Sequence, residues 1–495
     1  MMTVIRPLTL SAALLLGACA TTTDMTMEGL DYRADNPVLA NHIANQPIKT
    51  PAKNVILFIG DGMGISTVTA ARIYEGQQLG KPGEAHQLAW ESFPYTALSK
   101  TYNTNQQVAD SAGTASAMYT GVKTKAGVLS VGPDAARASC DLAKDVGLPT
   151  FFDAAADRGM RLGLVSTARI THATPAAAYA HSSERNWEYD GDLNDAAREG
   201  GCHDIAAQFV EGNQFDVTLG GGRRAFLRNT DAEPDYPDEM GRRGDGVNLI
   251  EAWQAKNPSG KVVFDTAGFQ TLTPGRDERV LGLFEPSHMK FDAMNTGPDA
   301  DPSLADLTAK AIELLSADGE GFVLMVEGGR IDHAHHGGSA FGALTEAVAL
   351  AKAVAVADEM TSDSDTTILV TADHSHVFTM AGYATRGNPI LGLVKGNGPD
   401  GAPTGEVVLA GDGKPYTTLG YGNGPGAVEG ARATLTEDEV LEPTYLQQSL
   451  VPTRSETHGG EDVAIYAKGP RAYVVSGVVE QSYIHDAITY ALDLK

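Results

Sequence analysis

The architecture this sequence predicts is an α/β fold built on a large, mostly parallel sheet. Three observations carry it. Short apolar runs of strand length alternate with helical stretches. Acidic and histidine residues collect where those runs end, the edge at which open α/β sheets place ligands. With 42% hydrophobic and 20% charged residues over 495 positions, the chain is globular, with room for one large domain carrying insertions or for two or three domains.

The elements follow in order. Residues 28–50 read as an N-terminal arm with a short amphipathic helix at 36–44. Residues 54–59 form a buried strand ending in Gly60-Asp-Gly62, and a helical pattern runs over 66–74. Strands recur at 162–166, 215–219, 322–326 and 367–371, the last two separated by a long helix over 342–360. The stretch of about 387–452 breaks the pattern. It is rich in Gly, Pro and Thr without helical period, and reads as an inserted loop-and-strand module.

Charge and cysteines narrow the setting. Acidic residues outnumber basic ones by 63 to 37, a net charge of -26, which argues against nucleic acid or anionic lipid as a binding partner. An anionic substrate would need local cations to draw it in, and bound metals would supply them. Residues 1–19 match a secretory signal too short to span a bilayer. Leu16-Gly-Ala-Cys19 is similar to a bacterial lipobox, which would make Cys19 a lipidated N-terminus; cleavage near Ala20 is the alternative. Ala20 after that cysteine points to an exported outer-membrane lipoprotein facing the periplasm or cell surface, tethered through 20–49. Cys140 and Cys202 remain, an even count that in an exported protein suggests a disulfide; two buried thiols are the alternative.

The chemistry concentrates in a few short runs. In Val108-Ala-Asp-Ser-Ala-Gly-Thr-Ala-Ser-Ala117, Ser111 opens a small-residue helix, at the positive end of its dipole. A serine there is a poor nucleophile unless its pKa is lowered, which zinc ions do. Asp61 follows the first strand among glycines. Glu327 ends another, and Asp332 and His336, four apart, share a helix face able to grip one ion. Asp373 and His374 follow a third strand in a turn where both reach one cation. His458 stands between Thr457 and two glycines. His172 and Thr174 lie in Thr171-His-Ala-Thr-Pro175, and Arg185 offers a planar fork for two phosphate oxygens. Together these residues read as a metal-activated serine acting on a phosphate ester.

Six ordered motifs resemble those of the alkaline phosphatase family. They are Gly60-Asp-Gly-Met-Gly64, Asp110-Ser-Ala-Gly-Thr-Ala115, His172-Ala-Thr-Pro175, Val326-Glu-Gly-Gly-Arg-Ile-Asp332, Thr371-Ala-Asp-His374 and Glu456-Thr-His-Gly-Gly-Glu-Asp462. The resemblance runs from about residue 50 to 495. It implies a three-layer α/β/α sandwich hydrolysing phosphate monoesters through a phosphoserine on Ser111. It further implies one zinc held by Asp332, His336 and His458, a second held by Asp61, Asp373 and His374, and a magnesium held by Asp61, Thr174 and Glu327. Arg185 would clamp the phosphate. Where the enterobacterial pattern has Asp and Lys, this chain has His172 and His333, as the vertebrate and some marine bacterial enzymes do. His172 removes a negative charge beside the magnesium, so activity is expected to respond to added magnesium.

The vertebrate branch implies more. Asp235, Phe284, Glu285 and Asp301 match a fourth site, for calcium, whose hard oxygen donors suit that ion. Asp235 replaces the longer Glu of that branch. Cys140 and Cys202 match a disulfide. The 387–452 module resembles the crown at a homodimer interface, where Tyr383 matches a residue reaching the partner's site. A phosphodiesterase, sulfatase-like or phosphoglycerate-mutase-like enzyme is the rival within the superfamily, disfavoured by the Ser111 context and Arg185. A non-catalytic metal- or phosphate-binding lipoprotein would need no Ser111.

Overall fold

The computed structural model describes residues 37–140, 147–275 and 279–494. The chain divides into a unit ending at Gln46 and a large unit from Pro47 onward. In the first, Pro37–Ala44 is helical, within the arm expected there; Cys19, the rest of the signal and residues 20–36 lie outside the described residues.

The large unit is organised by a ten-stranded sheet. In chain order its first eight strands are β1 (Asn54–Gly60), β2 (Tyr95–Lys100), β3 (Arg161–Arg169), β4 (Val217–Gly221), β5 (Lys261–Val263), β6 (Val280–Leu283), β7 (Phe322–Gly328) and β8 (Thr366–Ala372). Short strands follow: β9 (Ser375–His376), β10 (Phe378–Met380), β11 (Lys395–Asn397), β12 (Pro403–Val407), β13 (Leu419–Gly424), β14 (Ser449–Pro452) and β15 (His458–Gly459). The last two strands, β16 (Val463–Lys468) and β17 (Gly477–Glu480), return to the main sheet. Its order is β17-β2-β16-β8-β1-β7-β3-β4-β6-β5, and only β16 runs against its neighbours.

β1 shows why both faces are covered. Its residues alternate between two apolar cores: Val55, Leu57 and Ile59 in one, Ile56 and Phe58 in the other. The first core takes in Ala112 and Ala115 of the helix Ser111–Thr120 and Ile484 of the helix Tyr483–Leu492. The second holds the helices Ile65–Gln78, Leu304–Leu315 and Ala340–Met360. Two helical layers thus sandwich a buried parallel sheet, whose strands read as continuous apolar runs for that reason. The helix Ala340–Met360 is long and apolar enough to cross a bilayer, but its apolar residues are packed in the second core.

Residues 387–452 hold the β11–β12 pair and most of a small sheet ordered β10-β13-β14. A further two-stranded pairing matters for function. β15 lies antiparallel to β9, with His458 opposite His376. It carries the remote histidine onto the end of β8, which the β9 turn follows directly.

Candidate active site

The site forms along the carboxyl edge of the central strands. Register places it: Ile59 of β1 pairs with Glu327 of β7, and Gly60 pairs with both Gly328 and Ala372. Asp61, Glu327 and Asp373 therefore converge on one point, and Ser166 of β3 lies across from Glu327. The chain turns there at Gly62, whose φ of +71° disfavours a side chain. A Cβ at Gly62 would come within 2.3 Å of His376 Nε2, and its N–H donates to Asp373 Oδ1 at 2.9 Å.

Ser111 is the first residue of its helix and is buried. Asp110 caps that helix in an extended conformation. Its Oδ1 accepts from Gly113 N at 3.1 Å, and its Oδ2 accepts from Gly127 N at 2.9 Å and from Arg185 Nη1 at 3.2 Å. The one carboxylate thus fixes the Ser111 helix and the arginine fork together. Ser111 Oγ lies 3.1 Å from His374 Nε2 and 3.4 Å from Asp61 Oδ1.

Two donor sets surround it. His374 Nε2 is 3.4 Å from Asp61 Oδ1 and 3.3 Å from Asp373 Oδ2. Asp332 Oδ1 is 3.3 Å from both His336 Nε2 and His458 Nε2, which are 3.1 Å from each other. Ligands at ~2.0–2.1 Å from a tetrahedral ion are about 3.3 Å apart along each edge. The second set therefore has the edge length of a zinc tetrahedron on all three sides, the first has it on the two sides that His374 makes, and Ser111 Oγ lies at a similar distance from His374 and Asp61 of the first. Asp61 Oδ2 and Asp373 Oδ2 are buried and accept no hydrogen bond, as expected of groups that meet a cation. Asp61, Glu327 and His172 form a third group, where Glu327 Oε1 and His172 Nδ1 are likewise unpartnered. The buried Thr174 hydroxyl lies beside Glu327. Oxygen donors predominate there, which suits magnesium.

The electrostatics say the same. Burial first, and neighbouring carboxylates next, raise Asp61 far above the ordinary carboxylate range and hold Glu327 at about 8. Asp373 is raised by burial against the Gly62 N–H that favours its charge. Asp332 goes the other way: burial opposes its charge, but hydrogen bonds from His336, His376 and His458 win and hold it low. A divalent cation beside these carboxylates would oppose the upward push of burial and favour their charged forms.

Beyond the metal sets, Arg185 Nη2 donates to His172 Nε2 at 3.1 Å. The His172 ring lies 5.5 Å from that of His333, and both pack against His288, whose ring is 4.0 Å from His333 and bonds the Arg169 guanidinium. His288 was not singled out from sequence; it sits in a loop after β6 with no motif to mark it. His376 and Glu456 were also missed as site residues. His376 Nε2 contacts Asp332 Oδ1 at 3.0 Å and its Nδ1 contacts Glu456 Oε2 at 2.5 Å, bracing the second set from behind. Strand alternation would have found it, since His374 and His376 are two apart.

The remaining predicted residues lie elsewhere. Glu285 accepts from Tyr236 OH at 2.9 Å and meets Lys290 Nζ at 2.8 Å; the same ammonium reaches Asp301 Oδ1 at 3.3 Å. Asp235 pairs with Arg223 at 3.0 Å, and Phe284 is buried against Phe269. The acidic oxygens expected at the fourth site are thus partnered by the chain's own cations, unlike those at the other three. Cys140 and Cys202 are joined by a disulfide, with Cα atoms 5.7 Å apart. Tyr383 is fully exposed, with a φ of +56°.

Known proteins agree with this geometry. The family model for alkaline phosphatase matches residues 52–494. The tissue-nonspecific alkaline phosphatase isozyme of Gallus gallus is 47% identical over 449 residues, 89% of this chain and 84% of that protein. The alkaline phosphatase of Gadus morhua is 46% identical over 90% of this chain and 92% of its own. Among solved structures, Thermus thermophilus alkaline phosphatase superposes with a TM-score of 0.63 at 23% identity, covering 92% of this chain and 94% of that one, a likeness of fold. The serine-centred edge, its metal-ligand sets and these relatives place the chain in the alkaline phosphatase family, metal-binding hydrolases of phosphate monoesters.

Proposed function

We propose that the chain hydrolyses monoesters by double displacement through a phosphoserine at Ser111, with two zinc ions and one magnesium. The observation that carries this reading is the position of Ser111 Oγ, 3.1 Å and 3.4 Å from two members of a buried donor set. Asp61, Asp373 and His374 would hold one zinc, Asp332, His336 and His458 the other, and Asp61, Thr174 and Glu327 the magnesium. When bound, these ions supply charge stabilisation at the attacking and leaving oxygens and lower the pKa of groups they touch.

The chain's own residues do the rest. Asp110 keeps Ser111 at the helix N-terminus, where backbone N–H groups face an anion. Arg185 grips two phosphoryl oxygens with its fork. Ser111 Oγ attacks phosphorus as the alkoxide, its proton passing to solvent. The Oγ–P bond forms while the P–O bond to the leaving alcohol breaks, and the alcohol oxygen takes a proton from water. Water, giving a proton to solvent, then attacks the same phosphorus, the Oγ–P bond breaks with Oγ leaving as the alkoxide, and inorganic phosphate departs. Both attacks need deprotonated oxygen, hence alkaline conditions. Recognition confined to the phosphoryl group predicts broad tolerance of the alcohol.

His172 in the third group leaves magnesium with one carboxylate fewer to hold it, so activity should rise with added magnesium. Calcium at the fourth cluster would have to displace Lys290 from between Glu285 and Asp301. A homodimer is supported by the exposed Tyr383 and by Met380, Leu450 and Val451, exposed apolar residues on the β10-β13-β14 sheet. Export is supported by the secretory-signal pattern of residues 1–19, and lipidation at Cys19 by the lipobox.

The test is p-nitrophenyl phosphate hydrolysis at alkaline pH by wild type and Ser111→Ala, before and after chelation. Turnover that requires both Ser111 and restored metal is expected. Turnover by chelated enzyme, or by Ser111→Ala at the wild-type rate, would contradict the proposal.

A further inference from the structure

We infer that Arg330, seated on Phe291, is a positioning residue that fixes the hydrogen of His333 on Nε2, presenting a donor to the phosphoryl group. This rests on the proposed reading of the site.

Arg330 Nη1 lies 3.2 Å from His333 Nδ1. A guanidinium has only donors, so this contact requires Nδ1 to be the lone-pair nitrogen of a neutral ring. The ring hydrogen then sits on Nε2, which makes no hydrogen bond among the described residues. His333 borders the phosphate pocket through His172, which is bonded to the Arg185 fork. A neutral imidazole carrying its hydrogen on Nε2 beside His172 is a hydrogen-bond donor for a phosphoryl oxygen held by the Arg185 fork, directly or through one water.

The arginine is itself held. Its guanidinium lies 3.7 Å over the Phe291 ring, and its backbone N–H donates to Thr167 Oγ1 at 3.3 Å. Phe291 precedes a short turn, Asp292–Met294, pinned by Glu346: Asp292 N–H donates to Glu346 Oε1 at 2.6 Å. Glu346 is buried in the apolar helix Ala340–Met360, an expensive place for a carboxyl. The arrangement thus runs from a buried glutamate through a backbone turn and an aromatic face to the guanidinium that selects the tautomer.

Long-range ¹⁵N–¹H correlation spectra of histidine-labelled, metal-loaded enzyme read the tautomer directly. His333 should show a protonated Nε2 and an unprotonated Nδ1 in the wild type, and lose that preference in Arg330→Met. The inhibition constant for inorganic phosphate should rise about twofold in Arg330→Met, the cost of halving the population of the binding-competent tautomer, with zinc content unchanged. Phe291→Leu and Glu346→Leu should shift it in the same direction, and Glu346→Gln, which still accepts from Asp292 N–H, should not. A wild-type His333 with its hydrogen on Nδ1 would overturn the inference, as would unchanged phosphate affinity in Arg330→Met or zinc loss that accounts for the whole effect. Failure of the Ser111 reading would show separately, in p-nitrophenyl phosphate turnover by Ser111→Ala.

Discussion

Glu327→Gln in metal-stripped enzyme exposes the electrostatic tension at the site. Glu327 is fully buried, and burial, opposed by the Ser166 hydroxyl and reinforced by Asp373, lifts its carboxyl from 4.5 to about 8. The folded chain therefore binds this proton more tightly than the unfolded chain. The contribution to stability is fully present below about pH 4.5 and is lost as pH rises through about 8. At ~1.4 kcal/mol per pH unit the whole loss is roughly 5 kcal/mol, of which roughly 4 kcal/mol falls between about pH 5 and 9. Glutamine is neutral throughout and lacks this dependence. Groups remote from Glu327 cancel in the difference, while Asp61, which the Glu327 charge pushes up, is pushed up less in the variant and shifts the difference in the same direction. Urea unfolding of both apo proteins across that range measures it. Wild type should lose roughly 4 kcal/mol relative to Glu327→Gln as pH rises, and restored zinc and magnesium should recover more of it in the wild type. A difference constant to about 1 kcal/mol, or one of the opposite sign, would refute the reasoning.

Further outcomes follow from the same geometry. Arg185→Ala should cut kcat/KM for p-nitrophenyl phosphate by roughly 10- to 150-fold in steady-state assays, the worth of its charge-assisted hydrogen bonds, and release the Asp110 cap on one side. Asp332→Asn should lower zinc content by elemental analysis, because Asp332 Oδ1 contacts His336, His376 and His458 at once. Reducing the Cys140–Cys202 bond, or Cys202→Ser, should cost about 4 kcal/mol in denaturant unfolding for a closed loop of 62 residues. Metal-stripped enzyme given zinc alone should recover less activity than enzyme given zinc and magnesium; full recovery with zinc would remove the role assigned to Asp61, Thr174 and Glu327.

Much of the fold was legible because parallel strands buried on both faces must read as apolar runs. Residues 54–59 and 322–326 were found within a residue or two of β1 and β7 for that reason. The carboxylates were legible because each follows a strand end; that Asp61, Glu327 and Asp373 meet at one point needed the adjacency of β7, β1 and β8, which the sequence does not state. His458 was different. Two glycines mark a turn, but only the pairing of β15 with β9 shows that it meets Asp332. His288 and Lys290 carried no signal, and Arg330 stood in the 326–332 motif without a role, because their importance lies in what they touch: a histidine ring, a pair of carboxylates, an imidazole nitrogen. The fourth-site residues show the converse, a motif whose oxygens meet Arg223 and Lys290.

The central claim is that Ser111 carries the phosphoryl group covalently. Acid-quenching the metal-loaded enzyme during turnover and mapping phosphate by peptide mass spectrometry tests it most directly. The account predicts phosphate on Ser111, absent from Ser111→Ala and from enzyme chelated beforehand. Steady turnover at alkaline pH with no phosphate on Ser111 at any quench time, or with phosphate on another residue, would contradict it.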